Sequence, residues 1–129
     1  MKALCMILTL TVVINLQSQE AKHVDKAPLN FLNALNSDSE QMVETAIFHT
    51  LKFRLFYPQI CVDQPAKKLE ELVQDGQTDK IRYKAYVASY FLNNPELFEM
   101  IAKENYKNSN EFFQLLSSLM QNQLLAENQ

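Results

Sequence analysis

A chain of 129 residues with 12 basic and 15 acidic side chains has the length of one domain and a net charge of −3, which argues against nucleic acid and anionic membrane as default partners. Glycine occurs once, at Gly76, where average usage would give about nine. Hairpins and phosphate-binding loops depend on glycine for their tight turns, so a multi-stranded sheet or a dinucleotide-binding fold is excluded in favour of an all-α class.

The first 18 residues read as a signal peptide. Lys2 supplies a positive start, Ala3 to Leu16 an apolar run broken only by Thr9, Thr11 and Asn15, and Leu16-Gln17-Ser18 a small residue at the cut. The run is shorter than the ~20 residues that span a bilayer, so no stable membrane span is expected after cleavage, and the mature chain would be periplasmic or secreted. A cut after Ala21 and a buried N-terminal helix are the alternatives. Cys5 sits at the beginning of the apolar run instead of closing it, unlike the cysteine of a lipoprotein. Lys2 is the one charge lost with this segment, so the mature chain carries 11 basic against 15 acidic residues. Cys5 leaves as well, so Cys61 remains alone and no intramolecular disulfide can form.

Residues 19–30 are polar and read as a flexible leader, and 31–129 as a single helical domain. Phe31, Leu32 and Leu35 suggest a short helix. Ser37-Asp38-Ser39-Glu40 has the pattern of a capping box and starts a helix to about Phe56, with Pro58 beyond its end. Pro65 opens a helix carrying Ala66, Leu69, Leu72 and Val73, and Asp75-Gly76 stops it, with Gly76 as C-cap. The next helix spans about Thr78 to Asn93. Asn94-Pro95 then begins one that continues to about Tyr106, and Asn108-Ser109-Asn110-Glu111 caps a last helix to about Ala126.

The helices repeat. At a shift of 39, Met42, Ala46, His49 and Phe53 fall on Ile81, Ala85, Ala88 and Leu92, while Ile47 and Leu51 fall on Tyr86 and Tyr90. At a shift of 37, Leu32 and Leu35 fall on Leu69 and Leu72. Two helices per unit at such a period belong to α-solenoids. Leu69-x-x-Leu72-Val73-x-Asp75 followed by Ile81-Arg82-x-x-Ala85 resembles the HEAT-type repeat over about residues 31–106. In the first unit Glu44 stands where that pattern has arginine, and Ala46 follows Val43 one residue early. The resemblance implies a short α-α superhelix of helical pairs that serves as a protein-binding scaffold, with Arg82 paired to an aspartate such as Asp75. A compact bundle of five or six helices is the alternative architecture.

No catalytic, cofactor or metal site emerges, and a non-catalytic protein is expected. His23 lies in the leader and His49 on the packed stripe of its helix, and no His/Cys/Asp spacing supplies the three or four ligands of a zinc site. Cys61, in Gln59-Ile60-Cys61-Val62, reads as a packed, inert thiol that labels slowly. Lys67, Lys68, Glu70 and Glu71 form a solvated face with weak ion pairs. Lys80, Arg82 and Lys84 alternate, so Arg82 points away from the other two and the set makes a poor phosphate site.

Tyr83, Tyr86 and Tyr90 share one side of their helix. They read either as packing between helices, which Ile47 and Leu51 at the matching positions favour, or as a surface for another protein. Phe112 and Leu119 lie on a last helix whose apolar residues cover about half of its wheel, more than the stripe of a little over 100° that one core face needs. That helix therefore either caps the open end of the array or joins a second copy of the chain. A different reading makes the chain a carrier that encloses a hydrophobic ligand among Phe48, Phe53, Phe91, Phe98 and Tyr106.

Overall fold

The structure, a computed structural model, describes residues 24–129. The proposed signal peptide 1–18 and residues 19–23 of the proposed leader, His23 among them, lie outside the described residues. Six helices are described: α1, whose described part is 24–35, α2 (Glu40–Phe56), α3 (Asp63–Asp75), α4 (Asp79–Leu92), α5 (Pro95–Glu99) and α6 (Ser109–Glu127). The all-helical class expected from the single glycine is what the described residues show.

Boundaries follow local chemistry closely at four of the ends. Ser39 caps α2 by accepting from Met42 N–H at 3.3 Å, Thr78 caps α4 by accepting from Ile81 N–H at 3.2 Å, and Asn108 caps α6 through Asn110 and Glu111. The α2 cap is Ser39 and not Ser37, whose hydroxyl accepts from the Ser39 N–H at 3.0 Å and so lies outside the helix. Gly76 ends α3 as expected, its N–H bonded to the Leu72 carbonyl at 3.0 Å.

The physical reason for that glycine is space and not handedness. Its φ of −57° and ψ of 144° suit any residue. A Cβ there would sit 2.7 Å from the Leu72 carbonyl oxygen and 2.9 Å from Ile81 Cγ2, in the tight turn that folds α4 back onto α3. Gly76→Ala, which usually gains stability where φ is ordinary, should instead lose about 1–3 kcal/mol by overpacking. Thermal unfolding checks this, and a stabilised variant would show that the turn opens freely.

Two expected elements differ. Residues 24–30, read as leader, are helical and continuous with 31–35. The helix expected from Pro95 to about Tyr106 stops at Glu99, and residues 102–108 have no regular structure. Ile101 is buried, and Tyr106 packs on the core with its ring 4.7 Å from that of Phe112. Five residues apart on a helix, these side chains would point about 140° away from each other. Burying both requires the chain to leave the helix.

α4 is the centre of the molecule, and α2, α3, α5 and α6 all pack on it. Its buried residues, Ile81, Lys84, Ala85, Val87, Ala88, Ser89 and Phe91, cover an arc of about 200° at 100° per residue. Two small residues at 0% exposure, Ala85 and Ala88, let neighbouring backbones approach closely. α2 lies beside α4 and runs the same way. Gln77 donates to the Asp38 carbonyl and Thr78 to Glu40 at their first ends, and Arg54, Leu55 and Leu92 line one cleft at the other. α6 follows the same direction, with Ser109 and Asn110 beside Lys84 and Gln123 close to Asn93.

Candidate functional site

The helix stripe matched across the two units at a shift of 39 does not hold as a buried face. Met42 is 51% exposed and His49 is exposed, whereas Ile81 and Ala88 are fully buried. α2 instead buries Val43, Ala46, Ile47, Phe48, Thr50, Leu51, Phe53 and Leu55. Thr50 satisfies its hydroxyl by donating to the Ala46 carbonyl at 2.7 Å. His49 therefore lines a groove instead of the core. Partial desolvation there, and then the charge of Lys52, lower its pKa.

That groove, about 730 Å³ in volume, lies open between α2, α4 and the start of α6. Gln41, Glu44, Thr45, Phe48, His49 and Lys52 supply one wall, Lys80 and Lys84 another, and residues 107–110 the third. Glu44 forms its floor. Its carboxylate lies 3.1 Å from Lys80 Nζ and 3.3 Å from Lys84 Nζ, and the shared oxygen, Oε1, is sealed from solvent. Burial alone would push the Glu44 pKa up, but the two lysines outweigh it and hold the carboxyl below its usual range.

Lys84 is the most constrained ion of the set. Its side chain is 8% exposed. The ammonium lies 3.4 Å from both Ser109 Oγ and Asn110 Oδ1, and 5.0 Å from the centre of the Phe113 ring. It ties α2, α4 and α6 together at one point. Lys52 reaches Asn105 Oδ1 at 3.1 Å and lies over the Phe48 ring at 5.1 Å, which leaves its charge facing the groove. Lys80 and Lys84 are four residues apart and so share one edge of α4, which the sequence does reveal. Their partner on another helix could not be named without the packing.

Arg82 takes neither role. It donates to the Gly76 carbonyl at 2.7 Å and pairs with Asp79 in the first turn of its own helix, in place of the expected Asp75. On α3, Lys68 and Glu71 form the expected surface pair at 3.5 Å. Cys61 is exposed in the α2–α3 link, so slow labelling of this thiol is not expected. The link anchors itself through Val62, which is buried, and Cys61 turns outward beside it.

The tyrosines divide. Tyr90 packs against the core with its ring 6.3 Å from Phe91, and burial raises its pKa. Tyr83 and Tyr86 remain 49% and 45% exposed, so packing between helices does not account for them. The Tyr83 hydroxyl shares a hydrogen bond with Ser117 of α6, which fixes the ring at the edge of a second open trough, about 660 Å³, between α4 and α6. This trough adjoins the first groove, and Lys80, Lys84 and Asn110 line both.

On α6, Phe112 is 1% exposed and belongs to the core together with Phe113, Leu116 and Met120. It is therefore not a partner-binding residue, because its ring is already enclosed by Phe48, Tyr106 and Phe113. Leu119 is partly buried against the same core. Leu115, Leu124 and Leu125 are the leucines of α6 that stay exposed. Of the five aromatics named for a ligand cavity, Phe48, Phe53 and Phe91 are buried in the interior, and Phe98 and Tyr106 pack against it. The apolar cleft at Phe98 holds about 230 Å³, below the ~300–1,000 Å³ of pockets that enclose a small molecule.

Among the described residues, no three His, Cys, Asp or Glu side chains converge on a metal position, and no helix is long and apolar enough to cross a membrane. No protein-family model, curated protein or solved structure matches the chain.

Proposed function

We propose that the protein is an exported, non-catalytic interaction module built from HEAT-like helical pairs, and that it binds another protein across the outer face formed by α4 and α6. The observation that carries this reading is the half-exposed pair Tyr83 and Tyr86, opposite the buried arc of about 200° on the same helix. Tyrosine is enriched among the residues that dominate binding energy, because it offers a large apolar ring with a polar tip at low entropic cost.

The packing supports the helical-pair reading as well. α2, α4 and α6 run in one direction, and α3 returns the other way between α2 and α4, as stacked pairs require. Burial on α2 and α4 corresponds more closely at a shift of 38 than at 39. Val43, Ala46, Ile47, Thr50, Leu51 and Phe53 then fall on Ile81, Lys84, Ala85, Ala88, Ser89 and Phe91, all of them buried, while the buried Phe48 and Leu55 fall on the exposed Tyr86 and Asn93. α3 has 13 residues and α5 has 5, so the pairs are unequal copies.

The test is site-specific photo-crosslinking in the native source, with the photoreactive residue in place of Tyr86 and, as a control, of Glu70, which is exposed on α3. A discrete adduct from Tyr86 that is missing from Glu70 is expected. Tyr83→Ala with Tyr86→Ala should then weaken the identified partner by at least about tenfold. Identical adducts at both positions would refute the assignment of this face. The exported material should also have lost about 18 residues, and full-length chain confined to the cytosol would count against export.

A further inference from the structure

We infer that the lysine-lined groove between α2, α4 and α6 receives an acidic, extended peptide segment of the partner protein. This rests on the reading of the chain as a protein-binding module and adds the chemistry of what it binds. The chain as a whole carries −3. Yet the groove collects Lys52, Lys80, Lys84 and Lys107 against one carboxylate, Glu44, while His49 is held towards its neutral form. A local excess of three positive charges on an acidic protein is a concentrated field, and such fields select partners of opposite charge and speed their encounter.

The shape narrows the occupant. The groove is open instead of a closed cup, and the open α4–α6 trough adjoins it, with Lys80, Lys84 and Asn110 lining both. An extended chain fits such an open surface. The N-terminus of α6 is not itself the attraction, because Asn108 already occupies the Asn110 and Glu111 N–H groups.

The floor chemistry favours peptide over nucleic acid. Glu44 lies under the groove with its carboxylate held ionised by two lysines, and it would repel a continuous row of phosphates. A peptide spaces its carboxylates apart and presents backbone N–H and C=O groups between them. Gln41 and Asn110 along the walls can pair with those. The free edges of Lys52, Lys80 and Lys107 then meet the acidic side chains, and Tyr83 stands at the edge of the adjoining trough to contact an apolar residue that follows.

The experiment is fluorescence anisotropy on the purified protein with four probes. These are a labelled peptide of alternating Glu and Ser ending in Leu, its Gln-for-Glu and Lys-for-Glu counterparts, and a single-stranded oligonucleotide of matching charge. The glutamate peptide is expected to bind saturably and to weaken as salt rises, while the glutamine and lysine peptides bind far less. Lys52→Glu with Lys107→Glu should weaken it by at least about tenfold. The neutralising pair Lys80→Gln and Lys107→Gln should weaken it in the same direction, and circular dichroism confirms that each variant is folded. Equal binding of the glutamine peptide, indifference to both double variants, or tighter binding of the oligonucleotide would each overturn the assignment. If the peptide fails while the Tyr86 adduct persists, the groove loses its role and the binding module stands. If both fail, the module reading falls with it.

Discussion

Phe112→Ala is expected to destabilise the protein by about 3–5 kcal/mol, the cost of emptying a filled aromatic site. The ring is 1% exposed and meets Phe48 edge-on at 5.5 Å, Tyr106 at 4.7 Å and Phe113 at 6.1 Å. These neighbours come from α2, the irregular link and α6, so removing the ring loosens three elements together. A domain of this size holds about 5–15 kcal/mol in total, and each kcal/mol moves the melting temperature by about 4–8 °C. Melting should therefore fall by more than about 12 °C. Leu125→Ala, at a position 64% exposed on the same helix, should change stability by no more than about 0.5 kcal/mol. Equal shifts for the two variants would show that Phe112 is not core. Phe112→Asp should unfold the chain and not yield a folded monomer, because it buries a charge among three rings.

The second large effect is expected at the ion cluster. Glu44→Gln removes the counter-charge from Lys84, whose side chain is 8% exposed. Breaking a fully buried pair costs about 3–5 kcal/mol. Here Lys80 is 56% exposed and the Glu44 side chain 19%, so the expected loss is smaller, about 2–3 kcal/mol at neutral pH. Glu44→Gln combined with Lys84→Met should cost less than the two single changes added together, because an apolar side chain needs no partner there.

The pH dependence has a definite sign. The folded state holds the Glu44 carboxyl below its ordinary value of 4.5, so on acidification the unfolded chain takes up the proton first. The stability it contributes is fully present above that value and is lost as pH falls through the folded pKa. His49, lowered from 6.5, acts in the same direction over a window that opens earlier. The gap between wild type and Glu44→Gln, read from urea midpoints, should be widest near about pH 7 and narrow towards about pH 3. A gap that stays constant across that range would rule out the proposed charge coupling.

The sequence by itself determined the helical class, the order of the elements and most of their ends, because these depend on neighbours a few residues apart. Glycine scarcity excluded sheets. Ser39, Thr78 and Asn108 set caps that a short polar side chain can form with its own next turn. It also put Tyr83, Tyr86 and Tyr90 on one side of α4, because helical spacing alone does so, although it favoured packing between helices for all three.

Only the tertiary structure decided the rest. Whether Tyr90 packs while Tyr86 does not depends on where α6 passes. Cys61 turned outward because Val62 took the buried position, and Phe112 was claimed by three rings from other elements. The helix after Pro95 stopped early because burying Ile101 and Tyr106 outweighed continued hydrogen bonding along the chain. The groove floor is the clearest case: Glu44 lies 36 and 40 residues from Lys80 and Lys84 in the sequence, and an ion pair across helices leaves no periodic signal in either one. Local propensity acts over one turn of helix, whereas burial and charge pairing act between whatever surfaces the fold brings together.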